Sequence, residues 1–399
     1  KILDKLITEP FKLSERQKAA VLSDENYTKI VAGAGAGKTE TLTRKIVYLV
    51  LCEEIEPASI VAFTFTEKAA QSMKSRVYQR VIQLGRTDWA KRLGEMYIGT
   101  IHAFCLRILE DYFGYGDYGV FDENQEMAFL MRIGWSLQLN EGGFYARNCD
   151  VFLNNVNMIY SENLDRTLLK KKASDFYERL TKYESILDSN KRLTFGRMVY
   201  ECISRLQNNP DKLDFIKYLI VDEFQDIDHT QFLLINLIGK KASVFVVGDP
   251  RQSIYQWRGS NEKFFIDFLS HFENAYPVEI KENRRSTKKI VHTSNIFADC
   301  FEDIDYEHLN YTRDSDGELI KLDFQSDYDE AVWIAEQIHA LVKEKDCKYS
   351  DFGILMRSVN TSGEPFIRVF KENGIPYIVG GKIGLFKRDE AQALGRILC

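Results

Sequence analysis

The sequence predicts an α/β chain built on parallel sheets, and three observations lead there. Residues 32–39 (Ala-Gly-Ala-Gly-Ala-Gly-Lys-Thr) join a β-type run, Tyr27 to Val31, to a helix-like stretch, Thr41 to Val50. A second apolar run, Tyr218 to Val221, ends in the acidic segment Asp222-Glu223-Phe224-Gln225-Asp226. Short apolar runs also alternate with helical patterns along the chain, which is the ordering of parallel sheets.

Taken in order, strands are expected near 28–32, 59–65 and 97–100, within a first domain made of residues 1–110 and 196–275. Residues 111–195 read as a helical insertion, with helical patterns at Glu123 to Leu139 and Ala173 to Leu187 and no strand alternation. The first domain resumes with a helix at Met198 to Gln207 and strands at 218–221 and 244–247. A second, incomplete domain is placed at 276–399, opening on the strand Val278 to Ile280. Its expected strands are Leu319 to Phe324, Phe352 to Met356 and Tyr377 to Val379. Its helices are Asp329 to Lys345, with Val332, Ile334, Ile338 and Leu341 apolar, and Phe366 to Glu372.

The chemistry lies at the ends of these strands. The glycine-rich turn has few Cβ atoms, so the backbone of Ala34, Gly35, Ala36 and Gly37 can close around a phosphate at a helix N-terminus. Lys38 would reach the outer phosphates of ATP, and the Thr39 hydroxyl would hold Mg²⁺. Asp222 would also hold Mg²⁺, and Glu223 would orient and deprotonate an attacking water. After the next strand, Gln252 can sense the terminal phosphate. Tyr255 and Trp257, with Arg258 beside them, can hold unpaired bases. A kinase or GTPase reading explains the phosphate loop but not this aromatic loop.

These segments, in order, resemble the motifs of superfamily-1 helicases of the UvrD/Rep/PcrA type. Leu13-Ser14-Glu15-Arg16-Gln17 is similar to the adenine-reading motif, with Gln17 as reader. Phe63 to Ala70 and Gly99 to Phe104 resemble two DNA-contacting motifs; they place Phe65 under a base and Thr64, Thr66, Thr100 and His102 on DNA phosphates. Glu282-Asn283-Arg284-Arg285-Ser286-Thr287 is similar to a further motif, with Arg285 as the arginine finger, and Ile354 to Ser358 and Tyr377 to Glu390 (Gly380, Gly381, Phe386, Arg388, Glu390) resemble the start of a second motor lobe. The resemblance implies a RecA-like P-loop NTPase lobe with a helical insertion, then part of a second RecA-like lobe. It implies ATP and Mg²⁺ as cofactors and an ATP-dependent helicase or translocase moving 3′→5′. Single-stranded DNA or a 3′-tailed duplex would be the partner, with repair or nuclease proteins as further partners.

The chain departs from that pattern in three ways. An arginine, Arg284, stands where an aromatic usually stacks on adenine, and Glu40 stands where an arginine often follows the phosphate-loop Thr. Arg284 is therefore expected over the adenine and paired with Glu40. Two motifs that the family carries have no counterpart before Cys399, and residue 1 is Lys, so the chain reads as part of a longer protein. An ATP-binding regulatory or scaffold subunit of a nuclease-coupled repair or defence complex is the competing function.

Composition narrows the class. At 399 residues, two or three domains are expected, and 45% hydrophobic with 28% charged residues fits a globular protein. No apolar run suggests a membrane span, and a cytoplasmic protein is expected. Seven scattered cysteines and six histidines show no metal spacing. A net charge of −6 is a weak footprint for nucleic acid, so a DNA track must be locally basic, with Lys68, Lys74, Arg76, Arg80 and Arg107 as candidates.

Overall fold

In the computed structural model, which describes residues 1–256, 259–301, 307–345 and 347–380, ten strands are formed. They are β1 (Tyr27–Ala32), β2 (Ile60–Phe63), β3 (Tyr97–Gly99), β4 (Gly119–Phe121), β5 (Arg192–Thr194), β6 (Tyr218–Val221), β7 (Ser243–Gly248), β8 (Tyr276–Ile280), β9 (Glu282–Asn283) and β10 (Asn310–Tyr311). Six of them make one parallel sheet in the order β3-β2-β6-β7-β1-β8. Parallel strands carry helices on both faces, so the central strands β2 (Ile-Val-Ala-Phe) and β6 (Tyr-Leu-Ile-Val) are apolar throughout. Successive side chains accordingly face opposite cores. Leu219, Val221 and Val246 join Phe63, Phe104, Ile203 and Phe224 on one side, while Ile220, Phe245 and Val247 join Ile30, Ile46 and Val50 on the other. Each such side chain contributes about 1.5–3 kcal/mol on burial.

Register places the site. Val31 of β1 pairs with Gly248 of β7, and Val221 of β6 pairs with Val246. The loops leaving β1, β6 and β7 therefore emerge together at the carboxyl edge of the sheet, where open α/β sheets bind ligands.

The chain divides into two compact units, Lys1–Glu318 and Leu319–Cys399. In the first, β8 pairs in parallel with β1, from Thr28↔Tyr276 to Ala32↔Ile280. The strand that the sequence suggested as the opening of a second domain is thus the sixth strand of the first sheet. Pairing with a central strand decides this, and apolar content alone does not reveal it.

The insertion has its own core, in which Phe129, Leu130, Cys149, Phe152, Val156, Leu180 and Leu187 meet. Its helices are Glu123–Ile133, Tyr145–Ser161, Arg166–Lys172 and Ser174–Ser189. The first is shorter than expected and passes into a 3₁₀ turn at Gly134–Leu137. The insertion is bounded by a short parallel pair, β4 with β5, which is too brief to show as alternation in the sequence.

In the second unit, the helices Asp327–Glu344 and Glu364–Glu372 form and pack through Ala331, Ala335, Ile338, Phe366, Val369 and Phe370. Ser326 caps the first by accepting from Asp329 N–H, with Asp327, Asp329 and Glu330 in the first turn. The strands expected at 319–324, 352–356 and 377–379 do not form among the described residues, and Leu319, Leu322, Leu355 and Ile378 are exposed. A helix closes its own hydrogen bonds, whereas a parallel strand needs a neighbour. Gly381, Phe386, Arg388 and Glu390 lie outside the described residues. No described helix is long and apolar enough to cross a membrane, and the six described cysteines are free thiols.

Candidate active site

β1 runs into the phosphate loop, and the helix Lys38–Leu51 follows directly. Gly35 and Gly37 sit at φ +76° and +85°, a region that favours glycine. A Cβ on Gly35 would lie 2.8 Å from both Arg285 Cβ and Asn283 Oδ1. The loop is held from behind. Gln17 Nε2 donates to Ala36 O at 3.2 Å, Arg284 N–H to Gly35 O at 2.9 Å and Asn283 Nδ2 to Ala34 O at 2.8 Å.

Gln17 differs from its expected role. It is buried, its Oε1 accepts from Ser14 N–H at 3.1 Å, and Ser14 Oγ accepts from its own N–H at 3.2 Å. This capping box starts the helix Glu15–Leu22, and the same amide then braces the phosphate loop.

Glu223 is brought beside the phosphate loop, against Lys38. Glu223 adopts φ +49°, a conformation uncommon for a residue with a side chain. Its Oε2 accepts from Lys38 Nζ at 2.5 Å and from Gln225 Nε2 at 3.0 Å. Sequence reasoning gave Gln225 no role, yet it is the hub of the site. It is buried, its Oε1 accepts from Asp249 N–H at 3.0 Å, and its Nε2 also donates to Asp226 at 3.2 Å. Asp249 in turn accepts from Gln252 Nε2 at 2.8 Å and from Arg251 Nε at 3.0 Å. Gln252 is thus tied to Asp249. The only sequence signal for this chain of contacts was the short acidic segment itself, where a neutral side chain between carboxylates draws little notice.

Three carboxyl groups crowd here. Burial first, and the charge of Glu223 second, push Asp222 up to about 7 and Asp226 up to about 6, with Lys38 opposing. Asp226 Oδ1 is buried without a hydrogen-bond partner. Such an excess of negative oxygen suits a hard cation, and Thr39 carries a hydroxyl in the first turn of the helix that follows the phosphate loop. Among the described residues no group of three or more His, Cys, Asp or Glu forms a metal cage. Mg²⁺ fits that arrangement, because it typically takes one or two carboxylates and completes its shell with water and phosphate.

The expected pairing of Arg284 with Glu40 is not formed. Glu40 accepts from Arg44 Nε at 2.6 Å, four residues along the same helix. Arg44 is fully buried and also donates to the carbonyls of Leu6, Ile7 and Phe11. Arg284 donates to Lys12 O at 3.1 Å, and its guanidinium stands 5.1 Å from the Phe11 ring centre. Arg44 stands 4.9 Å from the same ring. Glu40 therefore neutralises a structural arginine, and Phe11 is an aromatic that no motif marked. Arg285 is exposed, with its N–H on Asn283 Oδ1 at 2.9 Å and its carbonyl accepting from Arg313 at 2.7 Å.

The other edge of the site faces outward. Phe65 is exposed and stacks on Tyr255, with centroids 4.8 Å apart and planes at 28°. Ile254 beside them is exposed. Thr66 and Thr100 cap the helices Glu67–Gln83 and Ile101–Phe113 by accepting from Ala69 and Ala103 N–H, and Thr100 also donates to Glu67 at 3.0 Å. Thr64 does not face this edge. It is buried and donates to Thr66 O at 3.1 Å, so it shapes the turn and is closed to a phosphate. His102 lies edge-on to Phe195 at 5.6 Å, and burial pushes its imidazole down to about 4, so it is neutral at pH 7. Arg80 leaves the expected basic track: it is buried and donates to the carbonyls of Lys5 and Leu6. Trp257 and Arg258 lie outside the described residues.

A phosphate loop after β1, acidic groups after β6 and a polar relay after β7 define a RecA-like P-loop nucleotide-binding lobe. Sequence comparison refines that class. The UvrD/REP helicase N-terminal domain family matches residues 13–273, and the UvrD-like helicase C-terminal domain family matches 278–398. The chain belongs to the UvrD/REP helicase family. The ATP-dependent DNA helicase PcrA of Staphylococcus epidermidis is 28% identical over 397 residues, covering 96% of this chain and 52% of that relative. The PcrA of Leuconostoc citreum is 29% identical over 390 residues, covering 95% and 51%. That of Staphylococcus aureus is 27% identical over 397 residues, covering 96% and 52%. The chain spans about half the length of the curated relatives it matches.

Proposed function

We propose that this chain forms the ATP-hydrolysing and DNA-contacting part of an ATP-dependent helicase or translocase that moves along single-stranded DNA. One observation carries the reading. A single carboxylate, Glu223, is shared by Lys38 of the phosphate loop and by Gln225, which leads through Asp249 to the loop carrying Tyr255. The relatives' names, ATP-dependent DNA helicase, support the substrate class.

In this mechanism the phosphate loop and the helix N-terminus hold the nucleotide phosphates. Lys38, now on Glu223, turns to the outer phosphates and releases the carboxylate to accept a proton from the attacking water. Thr39 and Asp222 would hold Mg²⁺, which supplies charge neutralisation on the phosphates. Arg285 stabilises charge on the transferring phosphoryl group. Gln225 transmits the state of Glu223 to Asp249 and Gln252. Phe65 and Tyr255 offer stacking faces to unpaired bases, which are nearly sequence-blind and so suit a moving motor. Thr66, Thr100 and His102 line the same edge with hydrogen-bonding groups for the DNA backbone.

The test is nucleotide binding and hydrolysis, with and without single-stranded DNA, for the wild type, Lys38→Ala and Glu223→Gln. Lys38→Ala is expected to weaken ATP binding at least about tenfold. Glu223→Gln is expected to bind ATP within a few-fold of the wild type and to lose about 10²–10⁴ in turnover, the usual contribution of a positioned base. Wild-type turnover in Glu223→Gln contradicts the assignment.

A further inference from the structure

Three consecutive carbonyls of the phosphate loop, those of Ala34, Gly35 and Ala36, each accept a hydrogen bond from outside the loop. In a trans peptide the carbonyl and the following N–H point in opposite directions. Holding the carbonyls of Ala34 and Ala36 therefore turns the N–H of Gly35 away from Asn283 and the N–H of Gly37 away from Gln17. Two of the three donors come from one dipeptide, Asn283-Arg284, which immediately precedes Arg285.

Asn283 makes the tighter connection. Its side chain is 3% exposed. Its Nδ2 donates to Ala34 O at 2.8 Å, while its Oδ1 accepts from Arg285 N–H at 2.9 Å and from Ser286 N–H at 2.8 Å. Its own carbonyl accepts from Thr312 N–H and Thr312 Oγ1, both at 3.0 Å. One planar amide thus holds the phosphate loop on one end and the turn carrying Arg285 on the other. Gly35 is the complement: its missing Cβ leaves room for Asn283 Oδ1 and Arg285 Cβ.

We propose that Asn283 is a positioning residue that locks Arg285 and the phosphate loop into one register. Closure of the loop on a phosphate and approach of the arginine are then a single movement. The catalytic half of this inference rests on the ATP-hydrolysing reading above; the mechanical half does not. Asn283→Asp separates the two links. It keeps both acceptor bonds to the turn and replaces the donor to Ala34 with an oxygen that repels the carbonyl.

The experiment has two arms. In the first, hydrogen–deuterium exchange of residues 33–37 and 284–286 is measured in the nucleotide-free wild type and in Asn283→Asp, together with Tm. Faster exchange of residues 33–37, with Tm within a few degrees, is expected; unchanged exchange there overturns the lock. Should the Asp variant not fold, Asn283→Ser, which cannot reach Ala34, is measured in its place. In the second arm, kcat and nucleotide affinity are measured for Asn283→Asp, Arg285→Ala and the double variant. The single variants are expected to lose about 10–100-fold in kcat with affinity changed less than about threefold, and the double variant to be no slower than Arg285→Ala. Multiplicative losses overturn the positioning role. A wild type without hydrolysis sinks the functional reading and with it the catalytic half, while the exchange arm still decides the lock.

Discussion

The two edges of the site are built in opposite ways. On the nucleotide side the polar side chains are buried and committed to one another: Gln17, Arg44, Gln225, Asp249 and Asn283 are all nearly inaccessible and hydrogen-bonded. On the other side Phe65 and Ile254 stand exposed, and the hydroxyls of Thr66 and Thr100 cap helices. The difference matches the roles proposed for the two edges. A phosphate demands fixed donors in a site that needs no rearrangement when charge develops. A passing strand of unpaired bases needs aromatic faces that accept any base and release it. Buried polar groups are costly to disturb, and exposed aromatics are not, so substitutions should separate the two edges by the kind of property they change.

The largest stability effect is expected at Arg44. Its guanidinium is fully buried against Glu40 and three carbonyls. Removing one partner of a buried pair costs about 3–5 kcal/mol. Chemical denaturation of Arg44→Ala should show a loss of that size, and a loss under about 1 kcal/mol would mean that the arginine is not held as described. At the other edge, Phe65→Ala should leave stability nearly unchanged. Its single-stranded DNA affinity should fall by about 1–3 kcal/mol, with ATP affinity unaltered in the absence of DNA. Equal loss of both affinities would erase the distinction between the edges.

A buried polar group away from the site gives a smaller, pH-dependent contrast. Glu126 lies in the insertion core and accepts from Tyr183 OH at 2.9 Å. Burial pushes its carboxyl up to about 7, while the Tyr183 hydrogen bond opposes the rise. The folded state thus binds a proton that the unfolded chain releases near pH 4.3. The stabilisation is complete below that value and is lost as pH rises through about 7. Glu126→Gln should therefore be more stable than the wild type at pH 8, and the advantage should shrink toward pH 5. An advantage independent of pH would show that the carboxyl is not strained by its charge.

Much of the first sheet was legible because its strands are short, β-branched and apolar on both faces, and because glycine and lysine in sequence mark a phosphate loop. What stayed hidden depended on partners far along the chain. The bond from Asn283 to Ala34 spans 249 positions, and no local pattern announces it. Glu40 illustrates the reverse. Its partner Arg44 lies at the helical spacing of four, so a local rule would have found it, whereas the resemblance pointed to the distant Arg284. The strands expected at 319–324 and 352–356 had adequate composition, but composition does not supply a neighbouring strand.

In the proposed mechanism Gln225 joins the phosphate-loop edge to the edge that carries Phe65 and Tyr255. The most direct measurement is the ratio of ATP hydrolysis rates with and without single-stranded DNA, compared between the wild type and Gln225→Ala. In the variant the ratio is expected to fall close to one, although DNA still binds through Phe65 and Tyr255. A ratio equal to that of the wild type would contradict this role of Gln225.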